Sequence, residues 1–459
     1  MTPPNILYIH SHDTGRYVSP YGYAMQTPHI QHLAEEGILF RQAFCAGPTC
    51  SPSRAALLTG SYPHNNGMVG LAHRGSRLFD YSHHLAHYLT AHGYATALSG
   101  MQHEVDHRER HLLGYETDLD SMPVPGVTDK QEAVARRAVA FLEENKKQPF
   151  FLSCGFTVTH RLGKCFNETG EPCGDPRYCR PPAHIPDTPE TRRDFADFSA
   201  AVTRLDTYIG IVLDTLNRTG LAENTLVICT TDHGIAFPQM KCNLTDHGLG
   251  VMLMLRGPGG FTGGTVVDAM VSHLDVFPTI CDITRIPAPA WLQGASLCPL
   301  VQGSKDVIHD EIAAEVNYHA AAEPMRAIRT SRYKYIRRYA TRNTPTLPNC
   351  DESITKDVFL HHGWQDRELP EESLFDLIYD PTEVVNLADS PAHQDVLHDM
   401  RQRLTNWMQQ TDDPLLNGRV PIWPGMVLNS EDDPSPESPV HPAESLITPH
   451  EEFGVSVTG

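Results

Sequence analysis

The sequence of 459 residues has no run of about 18 apolar residues, the length that a membrane-spanning helix requires, so we expect no membrane partner. After Met1-Thr2-Pro3-Pro4 the chain enters a predicted strand at once, with neither a charged n-region nor an apolar h-region. This predicts a cytoplasmic protein, or one from which a signal has been removed.

Basic residues are scarce in this chain. There are 36 Lys and Arg against 56 Asp and Glu, which gives a formal net charge of -20. Binding to nucleic acid would require a basic face, so we expect no nucleic-acid partner. A small anionic substrate is compatible with this charge, because a few cations inside a cleft reverse the local field.

The cysteines do not form the pattern of a disulfide scaffold. There are 11 of them, an odd number in a long chain, which indicates a mostly reduced protein. Cys165, Cys173 and Cys179 fall in one loop rich in glycine and proline, where they could hold a disulfide or a metal. Their spacing matches no standard zinc pattern, so we expect free or singly paired thiols.

Composition and hydrophobic patterning indicate an α/β fold. The 40% hydrophobic and 20% charged content is ordinary for a soluble globular enzyme, and the length favours two domains. The predicted elements are strand 5–9, helix 27–36, helix 81–92, strand 94–99, helix 130–146, strand 149–156, helix 188–217 and strand 225–231. Their alternation predicts a large, mostly parallel sheet with helices on both faces.

The character of the sequence changes beyond Glu315. Short β-like runs at 325–330, 332–339 and 373–379 precede a helix at 392–411. We therefore predict a catalytic domain of residues 1–320, a smaller α+β domain of residues 321–428 with a short antiparallel sheet, and an acidic, proline-rich tail of residues 429–459. The tail is expected to be extended, and ordered only where a contact pins it.

Residues 50–54 form the most informative motif, Cys-Ser-Pro-Ser-Arg. A cysteine with a proline two positions on and an arginine four positions on is the pattern recognised by the enzyme that oxidises a sulfatase cysteine to formylglycine. Cys50 would then be a precursor and not the nucleophile. The alternative is a buried cysteine on a turn before a helix, since Ser-Pro-Ser favours a helix start. The motif alone does not separate the two interpretations.

Polar side chains follow each of four predicted strands, at the end where reactive groups gather in open α/β sheets. In chain order these residues are His12 and Asp13, then His103, then His160 and Arg161, then Asp232 and His233, with Lys241 close behind. With 26 histidines in the chain, any one of these positions has an ordinary explanation. Four strand ends together with Cys50 on a strand-to-helix turn predict one shared site.

Several motifs in the same order resemble those of the sulfatase family, within the alkaline phosphatase superfamily. They are residues 4–7 with His12-Asp13, then 27–29, 40–44, 50–54, 64–68, 231–238 and 374–388. Within that family the chain is most similar to the heparan N-sulfatase (sulfamidase) group. The resemblance implies an alkaline phosphatase-like fold and a formylglycine-dependent sulfohydrolase that cleaves a sulfate ester or a sulfamate of a sugar or related small molecule.

The resemblance also implies a role for each matching residue. Cys50 matures to formylglycine, and Arg54 steadies it together with one divalent metal ion, Ca²⁺ in the family. His103 is the candidate base, while His160 and Lys241 contact the sulfate and the leaving group. The implied metal ligands are His12, Asp13, Asp232 and His233. Substrate contacts are expected from the loop 161–187, with Arg161, and from the segment 315–319, with His319.

Two departures from the family pattern affect these expectations. The pairs His12-Asp13 and Asp232-His233 stand where the family usually has Asp-Asp and Asp-Asn. Calcium prefers oxygen ligands, whereas two imidazoles favour Mn²⁺ or Zn²⁺. Met101 stands where many sulfatases carry a lysine, so Arg161 or Lys164 would have to supply the missing cation. Alternatively, Met101 merely packs and the strand alignment is shifted by one residue.

Two other functions remain open at this level. His233 and Met101 favour a phosphonate or phosphate monoester hydrolase on the same scaffold, and fold does not separate the two reactions. A non-catalytic relative that binds sulfated glycans is the third interpretation, which the intact Cys50, Pro52 and Arg54 disfavour. The resemblance further implies maturation by a formylglycine-generating enzyme and assembly as a homodimer.

Overall fold

The computed structural model describes residues 3–144 and 148–447. Residues 145 and 146 of the helix predicted at 130–146 and the tail beyond residue 447 lie outside the described residues. The strands of the large sheet are β1 (Asn5–Ser11), β2 (Ile38–Phe44), β3 (Ala95–Gly100), β4 (Thr117–Asp118), β5 (Phe150–Gly155), β6 (Thr225–Thr231), β7 (Leu253–Arg256) and β8 (Thr265–Ser272). Their order across the sheet is β4-β3-β5-β1-β6-β7-β2-β8.

Within this sheet only β7 runs antiparallel to its neighbours, β6 and β2; the other described pairs are parallel. The helices of the chain are α1 (Pro28–Glu36), α2 (Cys50–Thr59), α3 (Pro63–Asn66), α4 (Leu85–Ala91), α5 (Lys130–Glu144), α6 (Pro189–Arg218), α7 (Asp246–Leu249), α8 (Val276–Thr284), α9 (Cys298–Val301), α10 (Ile354–His361), α11 (Gln394–Gln410) and α12 (Ala443–Leu446). The predicted α/β class with a mostly parallel sheet is confirmed.

Alternating side chains of β1 explain why helices cover both faces of the sheet. Leu7 and Ile9 pack into a core with α1, α5 and α6, while Ile6 and Tyr8 pack into a second core with α2, α4 and α8. Successive residues of a strand point to opposite faces, so a fully apolar strand needs a cover on each side. The centre of the sheet is therefore inaccessible, and polar chemistry is confined to its edges.

A second sheet is antiparallel throughout, as predicted for the smaller α+β part. Its strands are β9 (Glu311–Tyr318), β10 (Ala322–Thr330), β11 (Tyr333–Arg338) and β12 (Glu372–Asp376), in the order β12-β11-β10-β9. Strand β9 precedes the predicted boundary at residue 320 but pairs with β10. The division of the chain into domains stays a prediction.

The helix predicted at 81–92 is shorter than expected. Residues 81–83 form a 3₁₀ turn, and α4 begins only at Leu85. Two caps cause this break: the Asp80 side chain accepts a hydrogen bond from Ser82 N, and the His84 ring accepts one from Ala86 N. Each cap satisfies amide groups at a new helix start. Two short helices therefore begin in a segment whose hydrophobic pattern indicates a single helix.

The tail is fastened to the rest of the molecule as far as residue 447. Asn429 N donates to Ala320 O at 2.8 Å, and Lys356 Nζ donates to Pro434 O at 3.0 Å. Strands β13 (Val427–Leu428) and β14 (His441–Pro442) pair at its base. In the described part of the chain, none of the helices has the length and apolarity needed to cross a bilayer.

Candidate active site

The predicted strand ends meet because β5, β1 and β6 are adjacent and parallel. Their carboxyl ends carry His160, the pair His12-Asp13 and the pair Asp232-His233, and helix α2 presents Cys50 against them. Ligand-binding groups in open α/β sheets lie at this edge, where the strands leave the apolar core. Sequence order and sheet topology together bring the candidates into one buried centre.

Cys50 lies on the first turn of α2 and is only 2% exposed. Its Sγ lies 3.5 Å from His233 Nε2. Burial raises the pKa of this thiol well above its ordinary value, and the nearby carboxylates Asp13 and Asp232 add to that effect against the opposing charge of Lys241. The thiol is therefore protonated at neutral pH, which makes it a poor nucleophile.

Five side chains, that of Cys50 among them, could hold a metal ion. They are His12, Asp13, Cys50, Asp232 and His233, and one potential ligand atom from each lies within 4.8 Å of all the others. His233 Nδ1 donates to Gly234 O at 2.9 Å, so its Nε2 lone pair faces the cluster. Two carboxylates and two imidazoles are a suitable donor set for a divalent cation, so the residues present fit the group that the sequence implies.

The two carboxylates of this cluster are held in place by main-chain groups and cations. Asp13 has a left-handed backbone with φ 49°, and its N–H donates to Asp232 Oδ1 at 2.8 Å. Burial alone would raise the pKa of Asp13, but the charge of Lys241 keeps it well below its usual range, with contributions from His12 and His233. Asp13 is therefore ionised at neutral pH, with Oδ1 against His12 and Oδ2 against Lys241.

Arg54 links helix α2 to the carboxyl ends of β1 and β6. Its Nη2 donates to Asp232 Oδ2 at 2.9 Å and to Ser11 O at 2.8 Å. Its Nη1 lies 2.6 Å from His10 Nδ1, which must accept because a guanidinium only donates. His10 in turn points Nε2 at Ser153 Oγ, 3.2 Å away. A fixed guanidinium in this position orients Asp232 and compensates its charge.

Lys241 is buried between two carboxylates. Its Nζ lies 3.1 Å from Asp13 Oδ2 and 3.0 Å from Asp351 Oδ2. Burial alone would lower the pKa of Lys241, but the charges of Asp13 and Asp351 raise it well above its ordinary value. The ammonium group is therefore permanently charged at the edge of the cluster.

A cleft of about 730 Å³ opens beside the cluster and is lined by His12, His73, Met101, His103 and His160. The rings of His160 and His12 meet edge to face, with centroids 4.4 Å apart, and His160 Nδ1 lies 2.7 Å from Arg161 O. A main-chain carbonyl only accepts, so Nδ1 carries the proton when this ring is neutral. His103 Nε2 lies 2.9 Å from His73 Nδ1. The cleft thus presents imidazole groups next to the candidate metal ligands.

Comparison with known proteins identifies the family. The model of the family described as Sulfatase matches residues 4–286, and the model described as N-sulphoglucosamine sulphohydrolase, C-terminal, matches residues 240–353. The chain belongs to the sulfatase family. The prediction made from the sequence motifs is confirmed, and this sulfatase is a sulfate ester hydrolase.

Similar proteins cover nearly the whole length of this sulfatase. Human N-sulphoglucosamine sulphohydrolase is 29% identical over 466 residues, which cover 90% of this chain and 91% of the human protein. A solved 2-O GAG sulfatase has a TM-score of 0.69 at 22% identity, over 97% of this chain and 100% of that one. The phosphonate monoester hydrolase of Agrobacterium radiobacter has a TM-score of 0.66 at 20% identity, over 89% of this chain and 96% of that one. At these identities the solved structures show the fold alone.

Arg161 and Lys164 do not supply the cation that Met101 lacks. The Arg161 guanidinium is buried, makes two contacts with Asp194 at 2.8 and 3.0 Å, and lies over the rings of Phe166 and Phe237. Lys164 Nζ pairs with Asp357 at the surface. The structure therefore places both cations outside the cleft of this sulfatase, and the side chain of Met101 lines it.

His319 lies close to the centre, within the electrostatic influence of Lys241. It is buried, its Nδ1 has no hydrogen-bond partner among the described residues, and the charges of Lys241 and Asp351 act on it. The loop cysteines Cys165, Cys173 and Cys179 are free thiols, as expected, and so are the other eight cysteines of the 11.

Three residues of this sulfatase's centre were missed by the sequence analysis: His10, His73 and Asp351. His10 belongs to the end of β1, and its spacing from His12 was available as a signal. His73 lies within a 3₁₀ turn that no periodicity marks. Asp351 comes from a polar loop after the second sheet has begun, so no strand end pointed to it.

Proposed function

We propose that this sulfatase is a formylglycine-dependent hydrolase that removes sulfate from an oxygen or nitrogen of a sugar or related small molecule. The observation that carries the proposal is the position of Cys50, at the first turn of a buried helix and 3.5 Å from His233 Nε2. A protonated, buried thiol has no evident use as a nucleophile there. Its oxidation product, formylglycine, would act as a nucleophile there in its hydrated form.

Formylglycine, in its hydrated form, supplies two hydroxyl groups: one attacks sulfur, and loss of the proton of the other expels sulfate and restores the aldehyde. A serine has a single hydroxyl and offers no such release. The residues around Cys50 then have to position the sulfate, neutralise its charge and move protons. The described side chains provide a candidate for each of these tasks.

Lys241 and His160 are the candidates for the sulfate and for the leaving group. The Lys241 ammonium would offset negative charge that develops on the sulfate oxygens. His160 holds a proton on Nδ1 through its contact with Arg161 O, so its Nε2 can carry a second proton into the cleft and give it to the departing oxygen or nitrogen. His103 is the candidate base, with His73 as its hydrogen-bond partner.

His12, Asp13, Asp232 and His233 would hold one divalent metal ion, with the side chain at position 50 beside it. When bound, the ion supplies positive charge to the sulfate oxygens. The two imidazoles favour Mn²⁺ or Zn²⁺ over the Ca²⁺ that the family resemblance implies. Metal analysis of the purified protein by inductively coupled plasma mass spectrometry tests this choice.

The decisive experiment is mass spectrometry of the peptide that spans residues 43–54, on protein produced with and without a formylglycine-generating enzyme. Hydrolysis of 4-nitrophenyl sulfate is measured on the same two samples, with Cys50→Ala as the matched inactive control. We expect loss of the thiol mass in step with gained activity. An unmodified Cys50 in a sample that still hydrolyses the sulfate would overturn the proposal.

A phosphonate or phosphate monoester hydrolase is the second candidate, because His233 occupies the position where sulfatases usually have asparagine and because that fold is shared. The two reactions are separated by turnover. We expect kcat/KM for 4-nitrophenyl sulfate to exceed that for an aryl phosphonate on formylglycine-containing protein, and the reverse ratio would favour the second candidate. Assembly as a homodimer stays a prediction from the resemblance.

A further inference from the structure

Asp351 places a carboxylate in a centre that has to receive an anion. Its Oδ2 lies 3.0 Å from Lys241 Nζ, and its side chain keeps 20% of its surface exposed. Within the described part of the chain, the carboxylate makes no hydrogen bond apart from this ion pair. Oδ2 itself is buried against Lys241, so the exposed surface lies on the rest of the side chain, where Oδ1 is free to accept a hydrogen bond.

The charge of Asp351 is maintained by its surroundings. Burial alone would raise the pKa of Asp351, but the charge of Lys241 lowers it to about 2, against a smaller opposing effect of Asp13 and with help from His160 and His319. The group is ionised at neutral pH. A carboxylate only accepts hydrogen bonds, and so do sulfate oxygens, so Asp351 is not a ligand for the sulfate itself.

The loop that carries Asp351 is held at both ends. Before it, Asn349 donates to Glu323 Oε2 at 2.9 Å and accepts from Ala321 N at 2.8 Å. After it, Lys356 Nζ donates to Cys350 O at 2.9 Å. Because this loop is already fixed, little conformational entropy is lost at Asp351 when a ligand binds. A residue held in this way can contribute to specificity.

Helix α10, which follows the loop, is docked on α6. Thr355 Oγ1 donates to Asp194 Oδ2 at 2.6 Å, and Asp194 is the partner of Arg161. Arg161 thus supports the Asp351 loop through Asp194, although it does not reach the cleft.

We propose that Asp351 is a specificity-determining residue of this sulfatase, whose carboxylate accepts a hydrogen bond from a hydroxyl or amino group that the substrate carries next to its sulfated position. Lys241 would face the sulfate, and the neighbouring carboxylate of Asp351 would then face the leaving group. The substrate class is then a sulfated sugar or similar polyol, and simple aryl sulfates are poor substrates. This inference rests on the proposed function.

The test compares Asp351→Asn and Asp351→Ala with the wild type on two probes. N-Sulfo-D-glucosamine carries hydroxyl donors beside its sulfated nitrogen, and 4-nitrophenyl sulfate carries none. We expect kcat/KM for the sugar to fall by about tenfold or more in Asp351→Ala and by less in Asp351→Asn, which keeps an acceptor oxygen. The value for 4-nitrophenyl sulfate should stay within about threefold or rise, because the carboxylate that competes for Lys241 is gone.

Asp357→Asn is the matched control, because Asp357 lies nearby on α10 and pairs with Lys164 at the surface. Parallel losses on both probes would show that Asp351 only positions Lys241, and would overturn the inference. So would a wild type that cleaves the aryl sulfate but not the sugar. A wild type that is inactive on both probes although Cys50 has been converted to formylglycine would instead count against the proposed function. Should Asp351→Ala fail to fold, Asp351→Asn carries the comparison.

Discussion

The hydroxyl of Ser53, on the first turn of α2, donates a hydrogen bond to the main-chain carbonyl oxygen of Asp232, the first residue after β6. This contact joins the turn that carries Cys50 to the strand end that carries two candidate metal ligands. Both atoms are buried, so water cannot replace either partner. The distance between Cys50 and the cluster is therefore held by this short side chain together with that of Arg54.

Replacing Ser53 by alanine should destabilise the protein by about 1–3 kcal/mol, because the carbonyl oxygen of Asp232 loses its buried donor. Chemical denaturation followed by circular dichroism measures this change. Thr405→Ala is a suitable control, since it removes an exposed hydroxyl that also donates to a main-chain carbonyl. Equal stability of Ser53→Ala and the wild type would show that the centre is held together by other contacts.

Replacing His233 by asparagine should change which metal the protein retains. The substitution removes one imidazole and leaves an amide oxygen as the donor, which favours Ca²⁺ over Zn²⁺ and Mn²⁺. The measurement is metal content after dialysis against a mixture of the three ions, compared with the wild type. His362→Asn, at an exposed histidine that follows the C-terminal end of α10, should leave the content unchanged. An unaltered metal ratio in His233→Asn would remove His233 from the ligand set.

Glu383 should make the stability of the protein depend on pH. Burial raises its pKa to about 7, and the charge of Asp246 adds to this, although Lys334 Nζ lies 3.0 Å away and opposes it. The folded state therefore binds this proton more tightly than the unfolded chain does. The resulting stability is present below the unfolded pKa of about 4.5 and is lost as the pH rises through about 7.

We expect the free energy of unfolding of the wild type, relative to that of Glu383→Gln, to fall by about 2–4 kcal/mol between pH 4.5 and pH 8. Glutamine keeps an oxygen that can accept from Asp246 N, so the packing is preserved. Urea denaturation of both proteins at several pH values measures the difference. A difference that does not vary with pH would mean that Glu383 is ionised throughout and that Lys334 governs its charge.

Arg161 should act on stability and not on substrate affinity. Arg161→Ala leaves Asp194 buried without its cation, which costs about 3–5 kcal/mol. Arg161→Lys keeps a charge near Asp194 and is the variant in which KM for 4-nitrophenyl sulfate is measured. We expect a lower denaturation midpoint in both variants and a KM close to that of the wild type in Arg161→Lys. A large rise in KM at unchanged stability would restore the substrate contact that the sequence predicted.

The sequence predicted the centre well where polar residues follow buried strands. The predicted strand 225–231 coincides with β6, and the residues after β1, β3, β5 and β6 do converge. The edges of the same sheet were not predicted. Strands β2, β7 and β8 lack a clear alternation, and their pairing depends on long-range contacts that no local pattern encodes.

Asp351 is a residue of the site that no buried strand precedes, so the sequence pattern did not predict it. Its position depends on the contact of Asn349 with Ala321 and on that of Thr355 with Asp194, and both contacts join segments far apart in the chain. For Arg161 the sequence predicted a contact in the cleft that the structure does not contain, because the residue follows β5 closely. Its guanidinium instead turns toward Asp194, since two buried aromatic rings and a carboxylate offer it a better-compensated environment.

The tail also has a bearing on the order in which the molecule is completed during synthesis. Arg74 Nη2 donates to Pro436 O at 3.3 Å, next to His73, and Lys356 donates to Pro434 O, next to the Asp351 loop. Residues 429–447 leave the ribosome after all the strands of both sheets. The segments that carry His73 and Asp351 are therefore fastened by the part of the protein that is made late, and a nascent chain can hold its candidate metal ligands before it has a finished place for a substrate.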